Sequence, residues 1–395
     1  MKKSIIRYRG PKNIAVSIAL ASFALFVFQF CNPSGSALFY SVVQETALVD
    51  NETLPNNLSV IGMLETGGNY YLAAGSLYAT DSSGESDGSD TMWSQLDPPM
   101  INGDEYSACL GIALLSGDIY ALFSTVTATD AALFKLTGSI SDPKWKVAYD
   151  PDHDTVGKPV YLVAASGSLI VSLRVDLAYT AVESQDGDLF TALSLPGQYT
   201  VVNDAASFQG DLWLVSGTLL YSNTGGDFSS VIGAGTPAED GEVLGGLFTS
   251  TTLDTLFATS KNGGVYALNG GEWKLITRIE DKNNLLALTD LAEATINNNT
   301  VILVGTENGY YEIVFPGTTF LGSSFSKFEP GETGSLSSDD NYSITLLADT
   351  EVRTFYVDTS PSDGPLLFAG TSGNGLWRNP IDETSDPIVN KWDPE

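Results

Sequence analysis

The chain has 395 residues, 43% of them hydrophobic, which is ample for a sizeable core. It carries 48 acidic against 18 basic residues, a balance that excludes nucleic acid and anionic membrane surfaces as main partners. Two cysteines and one histidine leave no metal-ligand spacing of the zinc type and predict no cofactor.

The N-terminus reads as a separate object. Lys2, Lys3, Arg7, Arg9 and Lys12 form a basic stretch. Ile14 to Phe30 then runs apolar, interrupted only by Ser17, Ser22 and Gln29. That is the layout of a secretory signal. The apolar run lies at the low edge of what spans a bilayer. It ends at Cys31, followed by Asn32, Pro33, Ser34 and Gly35, and this junction resembles that of a bacterial lipoprotein. The resemblance implies cleavage before Cys31 and a diacylglyceryl group on its thiol. The protein would then be anchored in the cell envelope, on the periplasmic or surface side. Phe30 and Phe28 stand where that family has a small and an aliphatic residue. Cleavage after Ala37, behind Gly35 and Ser36, is one alternative, and an uncleaved anchor is another. All acidic residues lie beyond residue 31, and five of the 18 basic residues leave with the leader, which moves the net charge from −30 to −35. Such a field suits solubility, and its sign suits cations or basic protein patches.

One phrase then recurs about seven times. An apolar pair leads into small residues, a short polar gap, and Gly or a small residue before an aromatic. The clearest copies are YYLAAGSLY from Tyr70, TLFATSKNGGVY from Thr255, VILVGTENGYY from Val301 and LLFAGTSGNGLW from Leu366. Degenerate copies begin at Asp118, Ser168 and Asp211. Tyr71, Tyr120, Ile170, Trp213, Phe257, Leu303 and Phe368 occupy one slot in successive copies. Their separations run from 43 to 50 residues, with one longer gap before the last. Each copy holds short β-rich runs broken by Gly, Asn, Asp and Ser. No segment after the N-terminus keeps a 3.6-residue apolar period, which argues against a helical solenoid. Four short strands per unit, repeated seven times, predict an all-β protein: a seven-bladed β-propeller of four-stranded antiparallel blades over residues 58–395. Residues 1–31 are then the signal and 32–57 a tether.

The fifth unit shows the expected blade. Val243 to Ser250 is the inner strand, with Gly245 and Gly246 at the crowded centre. TLFATS and GVYALN form a hairpin across KNGG, residues that tolerate φ > 0. Glu272 to Ile279 is the outer strand, its Trp273 packing on the next blade. Trp93, Trp145, Phe228 and Trp392 are the comparable outer aromatics, and all are expected in the core between blades. Ala37 to Glu45 is apolar and β-branched, and is expected to supply or extend the outer strand of the last blade. Otherwise the ring closes by side-chain packing alone.

Two turns carry a further resemblance. Ser184 to Phe190 reads SQDGDLF and Ser222 to Phe228 reads SNTGGDF. These are similar to the Asp-box (BNR) repeat of sialidase-type propellers, Ser-x-Asp-x-Gly-x-x-Trp. Thr224 replaces the Asp of the second, and both end on Phe. The resemblance implies the propeller fold and places the box between two outer strands. Sialidase catalysis would need an arginine triad, a tyrosine nucleophile and an aspartate acid/base. Beyond the signal only Arg174, Arg278, Arg353 and Arg378 remain, with no motif around them that would assemble the triad. Paired carboxylates would serve another glycosidase, but no pair stands out among so many acids. No catalytic residue is assigned.

Asp150, Asp152 and Asp154 alternate like a calcium loop, yet Thr155 and Tyr161 occupy the places of its Gly and Glu, so a solvated loop is expected. His153 falls in that loop. Asp81 to Asp90 and Ser337 to Asn341 read as exposed loops. Cys109, inside ACLGIALL, reads as a small buried hydrophobe. The sequence favours a monomeric, non-catalytic binding or scaffold module for a protein or glycan, with a carbohydrate-active enzyme as the alternative.

Overall fold

The seven repeat slots all fall on the second strand of a four-stranded antiparallel sheet. Those strands are Asn69–Ala74, Asp118–Ser124, Ser168–Val175, Asp211–Ser216, Thr255–Ser260, Asn299–Thr306 and Leu366–Thr371. The structure is a computed structural model. It describes Leu54 and residues 57–395, apart from residues 83–92, 129, 151–156, 176–177, 198–200, 225, 232–235, 238–240, 282–283, 321–323, 331, 333–334, 336–346, 362–363 and 382–391. The chain divides into residues 1–50 and a propeller unit, 51–395. The signal, Cys31, Ala37 to Glu45 and His153 lie outside the described residues. No described helix is long and apolar enough to cross a membrane.

Second strands read as continuous apolar runs because both of their faces are buried. Tyr70, Leu72 and Ala74 face one neighbouring blade, and Tyr71 and Ala73 face the other. The slot residues range from fully buried to 8% exposed. Each four-stranded sheet is built from consecutive strands, in the order inner, second, third, outer. The fifth blade runs Leu244–Ser250, Thr255–Ser260, Gly264–Asn269 and Glu272–Arg278, as the sequence predicts. The turn from second to third strand explains the polar gap of the repeat. Ser260, Thr306 and Thr371 end their strands, and each hydroxyl accepts a backbone N–H of the turn: Gly264, Asn308 and Asn374, each at 3.0 Å.

The core is seven separate apolar clusters, one per blade interface. Fifth-blade Leu256, Ala258 and Trp273, for example, pack with fourth-blade Ala206, Phe208 and Trp213. Burying each large side chain contributes about 1.5–3 kcal/mol. Trp273 corrects the expectation: it stacks edge-on against Trp213 of the preceding blade, at 5.9 Å, not against the next one. An outer strand ends its blade on the side that the twisted sheet turns back toward its predecessor. Trp392 does likewise, donating to the sixth blade's Tyr310 Oη at 2.8 Å. Cys109 is buried with a free thiol, and burial pushes that thiol up to about 12.

The seventh blade comprises Val352–Asp358, Leu366–Thr371, Leu376–Pro380 and Asp393–Pro394, so its described outer strand comes from the C-terminal end. The longer repeat gap is spent between Phe328, the end of the sixth outer strand, and Val352. Each inner strand touches the next, and the seventh touches the first. At that seam Val60 N–H donates to Thr371 O at 2.9 Å and Gly375 N–H to Leu58 O at 3.0 Å. Tyr70 meets Phe368 edge-on at 5.3 Å, and its hydroxyl donates to Asp358.

Candidate functional site

The inner strands Gly62–Thr66, Ala108–Leu115, Lys158–Ala165, Asp204–Phe208, Leu244–Ser250, Leu288–Ile296 and Val352–Asp358 all run the same way, because every blade repeats one up-and-down order. Their first residues therefore ring one mouth of the central channel. A cavity of about 540 Å³ opens there, and every blade lines it. Ile61, Ile112, Tyr161, Asp204, Gly245, Asp290 and Arg353 come from blades one to seven in turn.

Local backbone irregularities aim these side chains. The pairing register slips between Cys109 and Gly111, Pro159 and Tyr161, Leu244 and Leu247, Leu288 and Leu291, and Val352 and Thr354. Such bulges bend the strand and re-aim a residue. Asp290 lies inside one and Tyr161 ends another. Gly245 is required by close approach, since a Cβ there would meet Leu288 O and Thr259 Oγ1 at 2.6 Å.

The two carboxylates are anchored across blade interfaces. Asp204 accepts from Ala205 N–H at 2.8 Å and from Leu247 N–H of the fifth blade at 2.7 Å. Asp290 of the sixth blade accepts from Phe355 N–H of the seventh at 2.7 Å. Burial outweighs these bonds. It pushes Asp204 up to about 7, with a smaller push from the Asp290 charge, and Asp290 up to about 6. Tyr161 is 42% exposed as a residue, and desolvation inside the cavity followed by both carboxylates pushes its phenol up. The neighbouring cations are already engaged. Lys261 Nζ donates to Leu288 O at 3.2 Å, and Arg353 pairs with Glu351 at 3.1 Å while donating to Ser59 Oγ at 2.9 Å. The mouth thus offers one phenol and two carboxyl groups that change charge near neutral pH.

The four arginines do not meet. Arg278 pairs with Glu242 at 2.6 Å and Arg378 with Glu395 at 2.9 Å, on different strands from Arg174 and Arg353. The Ser184 turn lies between the third and outer strands of the third blade. Asp186 accepts from Ser184 Oγ at 3.0 Å and from the N–H groups of Asp188 and Leu189 at 2.9 and 3.0 Å. Those backbone donors hold its carboxyl down at about 2. In the fourth blade Thr224 takes the Asp place, and its hydroxyl donates to Asp211 at 2.7 Å. Among the described residues no three acidic, His or Cys side chains group as a metal site. Of the calcium-like loop, Asp150 is described and residues 151–156 are not. Tyr161, Asp204 and Asp290 escape a sequence reading. The one mark of the two aspartates is a polar residue before an Asp near the start of an inner strand, as in Asn203-Asp204 and Thr289-Asp290.

No family model matches the chain, and no curated protein matches it. Solved structures do match. The extracellular domain of a putative hybrid two-component system from B. thetaiotaomicron superposes with a TM-score of 0.56 at 14% identity, over 84% of this chain and 40% of that one. A glycoside hydrolase family 74 xyloglucanase from Xanthomonas campestris gives 0.54 at 14% identity, over 86% and 55%. The extracellular domain of a putative one-component system from B. thetaiotaomicron gives 0.52 at 13%, over 84% and 40%. The chain thus spans about half or less of the length of these structures, and at such identities the likeness establishes the fold: a seven-bladed β-propeller.

Proposed function

We propose that this is an exported, non-catalytic propeller that binds a protein or glycan at its channel mouth, tethered to the bacterial envelope through a lipid on Cys31. One observation carries the binding reading. All seven blades deliver side chains to one cavity that holds a phenol, the carboxyls of Asp204, Asp290 and Glu351, and a single arginine, Arg353. Extracellular propellers among the structural neighbours support a binding or sensing role. The hydrogen-bonded Ser184–Asp186 turn supports kinship with Asp-box propellers. The test is a glycan and envelope-protein binding screen with the full chain in detergent, repeated with Tyr161→Ala and Asp204→Asn. Capture that neither substitution weakens would reject the mouth as the site. Metabolic labelling with a fatty acid should disappear in Cys31→Ser; labelling that persists, or never occurs, rejects the lipid.

A carbohydrate-active enzyme is the second reading, favoured by the raised Asp204 and Asp290. A carboxyl that stays protonated near pH 7 can act as a general acid while another serves as base. Hydrolysis of xyloglucan or aryl glycosides that Asp204→Asn or Asp290→Asn abolishes would establish this reading and sink the first.

A further inference from the structure

A second groove lies on the opposite face of the propeller from the channel mouth. It measures about 790 Å³ and follows the seam between blades one and two. Its walls are the first-to-second-strand turns of both blades, around Gly67 and Gly117, and the 137–144 connection of blade two. Those turns follow the far ends of the inner strands, which places the groove on the other face. We propose that it is a second binding site, for a neutral oligosaccharide.

Hydrogen bonds hold the wall together. Thr66 Oγ1 donates to Gly117 O at 3.3 Å, tying the two turns together. The 137–144 connection folds back on itself: Thr137 N–H donates to Lys144 O at 2.8 Å, and Asp142 N–H reaches Ser139 Oγ at 3.2 Å. Gly138 permits that return, since a Cβ there would lie 2.1 Å from Asp142 O. Ile140 packs from the loop onto the apolar cluster shared by the two blades.

The lining selects the ligand class. Thr66, Thr80, Ser94, Thr137, Ser139 and Ser141 line it, with Asn69. These groups both donate and accept, as a polyhydroxylated ligand demands. The charged lining residues are Lys135, Asp118 and Asp81. Lys135 Nζ and Asp118 Oδ2 pair at 2.6 Å, and Lys135 also lies over the Tyr120 ring at 5.6 Å. An anionic ligand would meet two carboxylates and would have to displace Asp118 from Lys135, whereas a sugar diol can bond to both members of that pair without doing so. Ile119 and Leu136 give the floor an apolar strip for sugar C–H faces. Volume fits as well, being that of a typical small-ligand site. An extended peptide is disfavoured because the walls are turns, not open strand edges.

Titration calorimetry of the full chain in detergent with cellotetraose, xylotetraose, mannotetraose and maltotetraose tests this, with tetragalacturonate as the charged control. At least one neutral tetrasaccharide should bind. Asp118→Asn should raise its Kd about tenfold or more, Thr137→Trp should block it, and Tyr161→Ala at the mouth should leave it unchanged. Thr137 is exposed, so the blocking variant keeps the test decisive if Asp118→Asn fails to fold. Absence of binding by all four overturns the proposal. So does binding that survives Thr137→Trp, binding lost in Tyr161→Ala, or equal affinity for tetragalacturonate.

Discussion

Asp204 and Asp290 give the protein an unusual pH dependence at residue scale. Both carboxyls sit higher in the fold, at about 7 and about 6, than in an unfolded chain. The folded state therefore holds protons that the unfolded state releases between pH 4 and 7. Their contribution is fully present below the unfolded value near 4 and is lost as pH rises through the folded values. The two interact, so the transition belongs to the pair. Thermal melts from pH 4 to pH 8 should show a falling melting temperature. Asp204→Asn, which cannot ionise, should flatten that fall. The same slope in the variant would mean that the carboxyl titrates normally. Most of this is invisible in the sequence. Forty-eight acids look alike until the inner strands bring Asp204 and Asp290 to one channel.

At the scale of elements, legibility follows burial. Second and third strands are buried on both faces, so their apolar runs and the turns between them stand out, as in Thr255–Ser260 and Gly264–Asn269. Outer strands such as Ser94–Gln95, Thr191–Ala192 and Ser229–Ser230 are two exposed residues long and carry no pattern. Only the adjoining aromatics Trp93, Phe190 and Phe228 mark them. The direction in which Trp273 packs depends on sheet twist, which no local pattern encodes. The hydroxyl that ends a second strand is the most testable part of the repeat. Thr306 is fully buried, and its Oγ1 accepts from Asn308 N–H while donating back to the turn. Thr306→Val keeps the shape and leaves buried turn groups without a partner, at a cost of about 1–3 kcal/mol. Thr306→Ser keeps the hydroxyl and should cost less. Denaturant unfolding that finds the two variants equally stable would show that the hydroxyl contributes nothing beyond filling space.

At the scale of the whole molecule, the ring has six interfaces crossed by continuous chain and one seam, between blades seven and one, that is not. Among the described residues no strand is lent across that seam, since each sheet is made of consecutive strands. Among the described residues, side chains and a few backbone bonds make the closure. Tyr70, Leu72 and Trp93 pack against Leu366, Phe368 and Leu376, and the Tyr70 hydroxyl reaches the buried Asp358. A cavity here should act differently from an equal cavity elsewhere. Phe368→Ala and Phe257→Ala each remove a fully buried ring, and each should cost about 3–5 kcal/mol in global stability. Only the first weakens a contact that no covalent connection restores. Amide exchange at Val60 and Gly375, whose N–H groups bond across the seam, should therefore accelerate in Phe368→Ala beyond its effect in Phe257→Ala. Two variants of matched global stability make the comparison clean, because any excess exchange then reports local opening. Equal protection of both amides in the two variants would show that the seam opens only with the whole ring, and that the seven interfaces act as one cooperative unit.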